Sequence, residues 1–103
     1  MIKVSVLYRN DDASKFDTAY YLGKHMPMVK EKFGALCKRA EVDFGLGGAE
    51  PGSKPAYVAM AHFLFDSVEA FQQAFGPHAG AIMADIPKYT DAAPLIQLSE
   101  VKA

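Results

Sequence analysis

Hydrophobic and polar residues follow strand-like patterns in four separate stretches of this 103-residue chain. They alternate one by one over residues 2–9 and again from about residue 37 to residue 46. Residues 57–65 are almost wholly apolar, and alternation returns over residues 95–101. A period of two is typical of β-strands, and a continuous apolar run is typical of a strand covered on both faces. The pattern therefore predicts four strands, with the third at the centre of a sheet.

A helical pattern separates the first two strands. It predicts a first helix from about Lys15 to His25. Pro27 has no N–H and its ring disturbs the preceding turn, so we expect a kink there and a second piece that ends at Phe33. The position before a proline is biased away from the α region, which applies here to Met26. The expected core stripe has apolar residues at spacings of three and four: Leu22, Met26, Val29 and Phe33.

Short polar residues precede both main predicted helices. Ser14 is the expected N-cap of the first helix, and Asp66 or Ser67 is the expected N-cap of a helix after the third strand. Pro77 then begins a further short helix that Pro87 closes. The apolar stripe of the helix before Pro77 is expected to consist of Val68, Phe71 and Phe75.

The predicted order is β-α-β-β-α-β in a single domain. This order favours the ferredoxin-like α+β class, in which two helices pack on one face of a four-stranded antiparallel sheet. The third strand has apolar residues on both faces, so the second sheet face also needs a cover. A chain this short has no other element for that purpose. We therefore expect a homodimer with sheets packed face to face, and a cavity between sheet and helices in each protomer.

Composition and charge argue against several kinds of binding partner and bear on the location of the protein. Eleven basic and twelve acidic residues leave a formal net charge of −1, which argues against binding to nucleic acid or to an anionic membrane surface. The single cysteine, Cys37, fits a reducing compartment. No apolar run is long enough to span a bilayer, and the first residues do not resemble a signal peptide. The expected location is the cytoplasm.

Three ordered motifs carry a family resemblance. The first is Phe16-Asp17-x-x-Tyr20-Tyr21-x-x-x-His25-x-Pro27-Met28-Val29, and the second is Phe65-Asp66-Ser67-Val68-Glu69-Ala70-Phe71. The third is Asp85-Ile86-Pro87-Lys88-Tyr89-Thr90-Asp91, followed by Pro94-Leu95-Ile96-Gln97. Together they resemble the EthD family, which is named for its association with ethyl tert-butyl ether degradation and belongs to the dimeric α+β barrel superfamily. The resemblance implies that residues 1–103 form one such domain.

The resemblance and the residues together single out His25 and Tyr21. His25 is a candidate general acid or base, because a histidine can titrate near working pH. Tyr21, one helical turn earlier, could orient His25 or hydrogen-bond a ligand oxygen. The alternative is structural: His25 would satisfy free carbonyls where Pro27 disturbs the helix.

Three further residues are candidate ligand-binding groups: His62, Asp85 and Tyr89. His62 lies in the apolar third strand, where it is either a core or interface histidine or a second ring facing His25 in the cavity. Asp85 and Tyr89 either line the cavity mouth and orient His25, or serve the turn and the dimer interface.

Metal and cofactor binding are not expected. The histidines lie 37 and 16 residues apart, which is not a metal-ligand spacing, and no nicotinamide or flavin motif is present. Taken with these residues, the resemblance implies small-molecule handling, as a cofactor-independent acid/base enzyme of oxygenase, isomerase or cyclase type. Its substrate would be apolar or aromatic, would bear an oxygen function, and would belong to degradation metabolism. The alternative is a non-catalytic ligand-binding or accessory protein of a catabolic operon.

Overall fold

Four antiparallel strands form one sheet in a computed structural model that describes residues 1–11 and 15–103. The strands are β1 (Ile2–Arg9), β2 (Cys37–Phe44), β3 (Tyr57–Phe65) and β4 (Leu95–Glu100), and they lie in the order β2-β3-β1-β4. The predicted strands are confirmed, and no boundary differs by more than two residues. The predicted cap Ser14 lies outside the described residues.

The register of the central strands decides which side chains face the helices. In the pairing of β1 with β3, Val4 lies opposite Phe63, and Tyr8 lies opposite Ala59. Side chains of paired residues project to the same face of a sheet. All four are buried, so this is the face that the helices cover. Residues at the intervening positions project to the opposite face. The core therefore lies between one face of the sheet and the helices.

The first helix is continuous and contains one irregular turn. It consists of α1 (Thr18–Tyr20), a π-helical turn (Tyr21–His25) and α2 (Met26–Phe33). It begins later than the predicted Lys15, because the Asp17 side chain caps it by accepting a hydrogen bond from the Tyr20 N–H. It ends where Gly34 takes a positive φ of 60°, as a glycine can at low cost.

The predicted break at Pro27 is wrong, and the π-helical turn explains why. Met26 keeps α-helical dihedral angles, and its N–H bonds the carbonyl of Tyr21, five residues back. At Pro27 the helix changes from the π pattern, in which an N–H bonds the carbonyl five residues back, to the α pattern, in which it bonds the carbonyl four residues back. Proline has no N–H, so no backbone hydrogen bond is lost at this position. The helix therefore continues through the proline without interruption.

The same turn shifts the buried face of the helix. Met26, Val29 and Phe33 are buried as predicted, but Leu22 is 49% exposed, and the prediction that it belongs to the core is wrong. Tyr21 and His25 are buried in its place. A wider turn carries one extra residue, so the faces before and after it are out of phase by that residue.

The second helical region follows β3 directly. It contains α3 (Val68–Phe75), a 3₁₀ turn (Gly76–His78), α4 (Ala79–Asp85) and a last 3₁₀ turn (Ile86–Lys88). Ser67 is the N-cap, with its hydroxyl accepting from the Ala70 N–H at 3.1 Å. Val68 is exposed rather than buried, since it opens the helix, while Phe71 and Phe75 pack against the core.

Apolar side chains lie on the sheet face away from the helices and also along the edge strand β4. On the face away from the helices, Leu7 lies between Met60 of β3 and Leu95 of β4. On the helix side, Ile96 and Leu98 of the edge strand β4 are more than 40% exposed. The observed α+β architecture is ferredoxin-like, as predicted. None of the helices among residues 1–11 and 15–103 has the length and apolar character needed to cross a membrane.

Candidate functional site

A cavity of about 190 Å³ lies between the sheet and the helices. Its walls come from β1, β3, β4 and every main helix after α1, and they are almost entirely apolar. Among the described residues that line it, only three carry a side-chain nitrogen or oxygen atom, namely Tyr8, Tyr21 and His25. The rings of Tyr8 and Tyr21 lie 5.9 Å apart, and those of Tyr21 and His25 lie 5.6 Å apart. The cavity is therefore apolar with its polar groups gathered at one end.

The π-helical turn places Tyr21 and His25 in the cavity. They are the first and last residues of that turn, both are buried, and their rings are stacked at 16°. Single π-helical turns are rare and occur often at functional sites. The turn therefore presents two polar rings to the cavity from a helix whose next buried residue, Met26, belongs to the apolar wall.

His25 is held by a carboxylate from the other helical region. Its Nδ1 atom lies 2.9 Å from Oδ2 of Asp85, the last residue of α4. Because an ionised carboxylate only accepts, Nδ1 carries the proton and Nε2 of neutral His25 keeps a lone pair. The other carboxylate oxygen of Asp85 accepts from the Tyr20 hydroxyl at 2.8 Å and lies 3.6 Å from Nζ of Lys88.

A chain of hydrogen bonds continues from the other side of the imidazole. The Tyr89 hydroxyl lies 3.3 Å from Nε2 of His25 and 2.6 Å from the Tyr8 hydroxyl. The first distance is at the long end of the range for a hydrogen bond. Asp85, His25, Tyr89 and Tyr8 thus form one connected network.

Burial sets the protonation states in this network. It lowers the pKa of His25 more than the hydrogen bond and charge of Asp85 raise it, so the imidazole is neutral at neutral pH. Burial alone would raise the pKa of Asp85, but the hydrogen bonds from His25 and Tyr20 lower it by more. The pKa of Asp85 is therefore below its ordinary value. Desolvation raises the pKa of Tyr21 and of Tyr89, so both remain neutral phenols.

The hydroxyl of Tyr21 is available to a ligand. Tyr21 is only 1% exposed, yet its hydroxyl takes part in none of the hydrogen bonds formed by the residues that the structure describes. In the same part of the chain, no side-chain nitrogen or oxygen that is sealed from water lacks a partner. The Tyr21 hydroxyl therefore faces accessible space, and Tyr21 lines the cavity.

Four of the five predicted site residues converge in space, namely Tyr21, His25, Asp85 and Tyr89. His62 does not: of the two alternatives given for it, the one in which its ring faces His25 in the cavity is wrong. Its neighbours Ala61 and Phe63 face the helices, so strand alternation turns His62 to the other sheet face. There its Nδ1 atom bonds the Ser5 hydroxyl at 2.9 Å, and its Nε2 atom lies 3.6 Å from Asp43.

Two site residues were not singled out from the sequence. Tyr8 ends the buried face of β1, and a tyrosine there is indistinguishable from an ordinary core residue until its hydroxyl partner is known. Tyr20 belongs to the first motif, but no role was predicted for it, and its hydroxyl donates to Asp85. The gathering of tyrosines in the first and third motifs could have found Tyr20, whereas Tyr8 lies outside both motifs.

Other chemistries have little support. Among the described residues no three histidine, cysteine, aspartate or glutamate side chains are grouped to hold a metal ion. Cys37 is half-buried, and burial raises the pKa of its thiol, which is the opposite of what a nucleophilic cysteine needs.

Comparison with known proteins establishes the family. The model of the EthD domain matches residues 12–93. An EthD-like protein from Ralstonia eutropha JMP134 has 46% sequence identity and a TM-score of 0.94, over 99% of this chain and 92% of that chain. No curated protein sequence matches the chain.

Two more distant structures share the fold. A dimeric ferredoxin-like protein from Thermobifida fusca YX has 16% identity and a TM-score of 0.60, over 97% of this chain and 90% of that chain. A variant of SnoaB, a cofactor-independent oxygenase from Streptomyces nogalater, has 17% identity and a TM-score of 0.52, over 99% and 92%. The fold, the motifs and the match over residues 12–93 agree, and the chain belongs to the EthD family.

Proposed function

We propose that this protein binds a small apolar or aromatic molecule with an oxygen function and acts on it by cofactor-independent acid/base chemistry. The observation that carries the proposal is the cavity of about 190 Å³, which is apolar except at Tyr8, Tyr21 and His25. Apolar cavities of about 150 Å³ accept benzene. The size thus suits a molecule with a single ring, and the polar end suits its oxygen atom.

His25 is the proposed base. It is neutral at neutral pH, and Asp85 holds the tautomer that leaves Nε2 free to accept a proton. A protonated His25 would form an ion pair with the Asp85 carboxylate, which stabilises the state reached after proton transfer. Asp85 therefore acts through His25, and Tyr89 adjoins the other nitrogen.

Tyr21 is the proposed hydrogen-bond donor to the ligand oxygen. Its hydroxyl has no hydrogen-bond partner in the part of the chain that the structure describes, and it remains protonated, so it can stabilise negative charge that develops on that oxygen. Deprotonation next to a carbonyl or at a phenol is a step common to oxygenases, isomerases and cyclases that use no cofactor. The fold shared with SnoaB supports this class of reaction, and the EthD family name supports a role in degradation metabolism.

We also propose that the protein is a homodimer that packs through the open sheet face. Leu7, Met60 and Leu95 form an apolar row across three strands of that face. Burying such a row against a second copy would stabilise a small domain. The shared fold with the dimeric Thermobifida fusca protein supports this arrangement. The cytoplasm is the proposed location, since the single Cys37 suits a reducing compartment.

A second candidate function is non-catalytic binding in an accessory protein. One specific observation favours it: both ring nitrogens of His25 already have hydrogen-bond partners. A histidine that only supports the fold would look the same. In that case the cavity would carry or sense a ligand, and His25 would hold the two helical regions together.

Ligand binding and the His25→Ala variant test the proposal in sequence. Monocyclic phenols and ketones are screened by thermal unfolding; a true ligand at 100 times its Kd stabilises the native state by about 2.7 kcal/mol. Turnover of each hit is then followed by mass spectrometry. We expect His25→Ala to abolish turnover while binding survives within about tenfold. The control is His78→Ala, which removes a histidine outside the cavity lining.

The possible results separate the two candidates. Binding without turnover in the wild type would favour the accessory protein. Turnover that survives in His25→Ala would contradict the acid/base proposal. If no monocyclic molecule of either class binds, the cavity does not have the proposed role.

A further inference from the structure

Of the two tyrosines joined at 2.6 Å, only Tyr8 lines the cavity. Tyr89 lies behind it, between Tyr8 and the imidazole of His25. Nδ1 of His25 in turn lies 2.9 Å from one carboxylate oxygen of Asp85. The other carboxylate oxygen lies 3.6 Å from the exposed Lys88 ammonium. A continuous path of hydrogen-bonding groups thus runs from the cavity to the surface of the protein.

We propose that Tyr8 is a further catalytic residue, which takes the proton from the ligand hydroxyl and passes it through Tyr89 to His25. This inference rests on the proposed function, because it assumes a ligand oxygen at the polar end of the cavity. It differs in assigning the contact with the ligand proton to Tyr8. His25 then serves as the proton store of a relay rather than as the group that touches the ligand hydroxyl.

Each proton moves by one position in this relay. The ligand O–H bond breaks and its proton joins the Tyr8 oxygen, which releases its own proton to Tyr89. Tyr89 releases its proton to Nε2 of His25, which becomes an imidazolium beside the Asp85 carboxylate. Both tyrosines are neutral before and after the transfer. The products are a ligand oxyanion and a protonated histidine, so charge and protons balance.

The geometry also indicates the class of ligand. The oxyanion would accept hydrogen bonds from Tyr8 and from the unpartnered Tyr21, and two neutral donors in an apolar pocket suit a phenolate or an enolate. A carboxylic acid fits less well, since it is already ionised at neutral pH and none of the described residues that line the cavity has a cationic side chain at that pH. We therefore assign the site to phenols and enols about one ring in size.

The environment of His25 is consistent with storage of one proton. The first helix contributes the stacked ring of Tyr21, and α4 contributes the Asp85 carboxylate, which contacts the imidazole. No cationic group among the described residues touches the imidazole directly. The titratable groups that face His25, or face its carboxylate partner, are Tyr21, Tyr89, Asp85, Tyr20 and Lys88.

The test uses 4-nitrophenol, whose yellow colour reports its phenolate form. The full-length protein is titrated with the probe, and absorbance is recorded as a function of pH for the wild type, Tyr8→Phe and Tyr89→Phe. The matched control is Tyr57→Phe, a tyrosine in β3 that does not line the cavity. In parallel, NMR shifts of the imidazole carbons report whether His25 is protonated.

We expect the wild type to bind the probe as phenolate below the pH at which free probe ionises, with His25 protonated at the same time. Tyr8→Phe and Tyr89→Phe should each raise the apparent pKa of the bound probe by about one unit, a tenfold fall in phenolate at a given pH. The probe should still bind to both variants, and Tyr57→Phe should behave as the wild type does.

Three results would contradict the proposal in distinguishable ways. If Tyr89→Phe leaves the colour of bound probe and the His25 signal unchanged, there is no relay. If Tyr8→Phe alone has no effect, Tyr8 is not the group that meets the ligand hydroxyl. If the wild type does not bind the probe, the proposed role of the cavity for phenols fails together with the relay.

Discussion

Nδ1 of His25 and Oδ2 of Asp85 lie 2.9 Å apart although 60 residues separate them in the chain. The contact joins the π-helical turn of the first helix to the end of α4. Each partner belongs to a different motif, so the contact brings the first and third motifs together in space. It also makes the protonation of His25 depend on Asp85.

Asp85→Asn should lower the pKa of His25 further. The carboxylate raises that pKa by its hydrogen bond and its charge, and without it only burial, which lowers the pKa, remains. An NMR pH titration of the imidazole carbons measures the change. Asp91→Asn is the control, because Asp91 accepts from the Lys15 N–H and lies away from the imidazole. An unchanged or raised pKa in Asp85→Asn would show that the two side chains are not coupled.

Stability should fall as the pH drops below about 6.5, the ordinary pKa of histidine. The folded state holds the pKa of His25 below that value, so the unfolded chain binds the proton first, which lowers the free energy of the unfolded state relative to the folded state. The loss ends once the pH passes the folded pKa. A second loss follows below about 3.8, where the unfolded chain protonates Asp85 before the folded protein does.

Thermal unfolding midpoints, measured from neutral pH to below about pH 3.8, test whether stability falls on acidification. His25→Asn keeps a donor for Asp85 but cannot titrate, so its midpoint should not fall in the upper part of the range. A wild-type midpoint that rises on acidification through pH 6.5 would mean that the pKa of His25 is raised rather than lowered.

Pro27→Ala should change the free energy of unfolding by less than about 1 kcal/mol. A proline in the interior of a regular helix costs about 3 kcal/mol, but here the change in hydrogen-bonding step at the π-helical turn already removes the need for its N–H. Urea denaturation measures the difference. Lys30→Pro, in the regular part of α2, should cost 3 kcal/mol or more. A gain of 2–3 kcal/mol in Pro27→Ala would show that the turn does not accommodate the proline.

Leu7→Lys should convert the proposed dimer into a monomer. The substitution places a charge in the apolar row that Leu7 forms with Met60 and Leu95, where burial against a second copy would leave it unpaired. Sedimentation velocity at micromolar concentration distinguishes the 11.2 kDa monomer from the dimer. Leu22→Lys provides the control on the exposed side of the first helix. A wild-type monomer, or a dimer that survives Leu7→Lys, would exclude packing through this face.

Ala61→Leu should close the cavity and prevent ligand binding while the fold survives. Ala61 is buried and lines the cavity from β3, so a larger side chain has open space to enter. Overpacking normally costs about 1–3 kcal/mol, and filling a void should keep the cost at the lower end. Isothermal titration calorimetry with 4-nitrophenol measures binding. If Ala61→Leu binds as tightly as the wild type, the ligand occupies another place.

Local patterns predicted the strands well, because alternation depends only on neighbours in the chain. The burial of Leu22 was predicted wrongly because it assumed a constant 3.6-residue period, and no local signal marks the π-helical turn that interrupts it. His62 shows a different difficulty. Its strand was correct, but the apolar residues on both sides of β3 left its face undecided until the pairing with β1 was known. The site network needed that same information, since its members come from β1, the first helix and the region around α4.

The π-helical turn sets the direction in which Tyr21 and His25 project from the helix axis. This direction is independent of the one in which the buried residues of α2 project. One additional residue therefore separates a stretch that contributes chemistry from a stretch that contributes packing. Substitutions that tune the polar end of the cavity need not disturb the contacts of α2 with the sheet. Such a separation would allow related chains to vary what they bind while they keep the same helix in place.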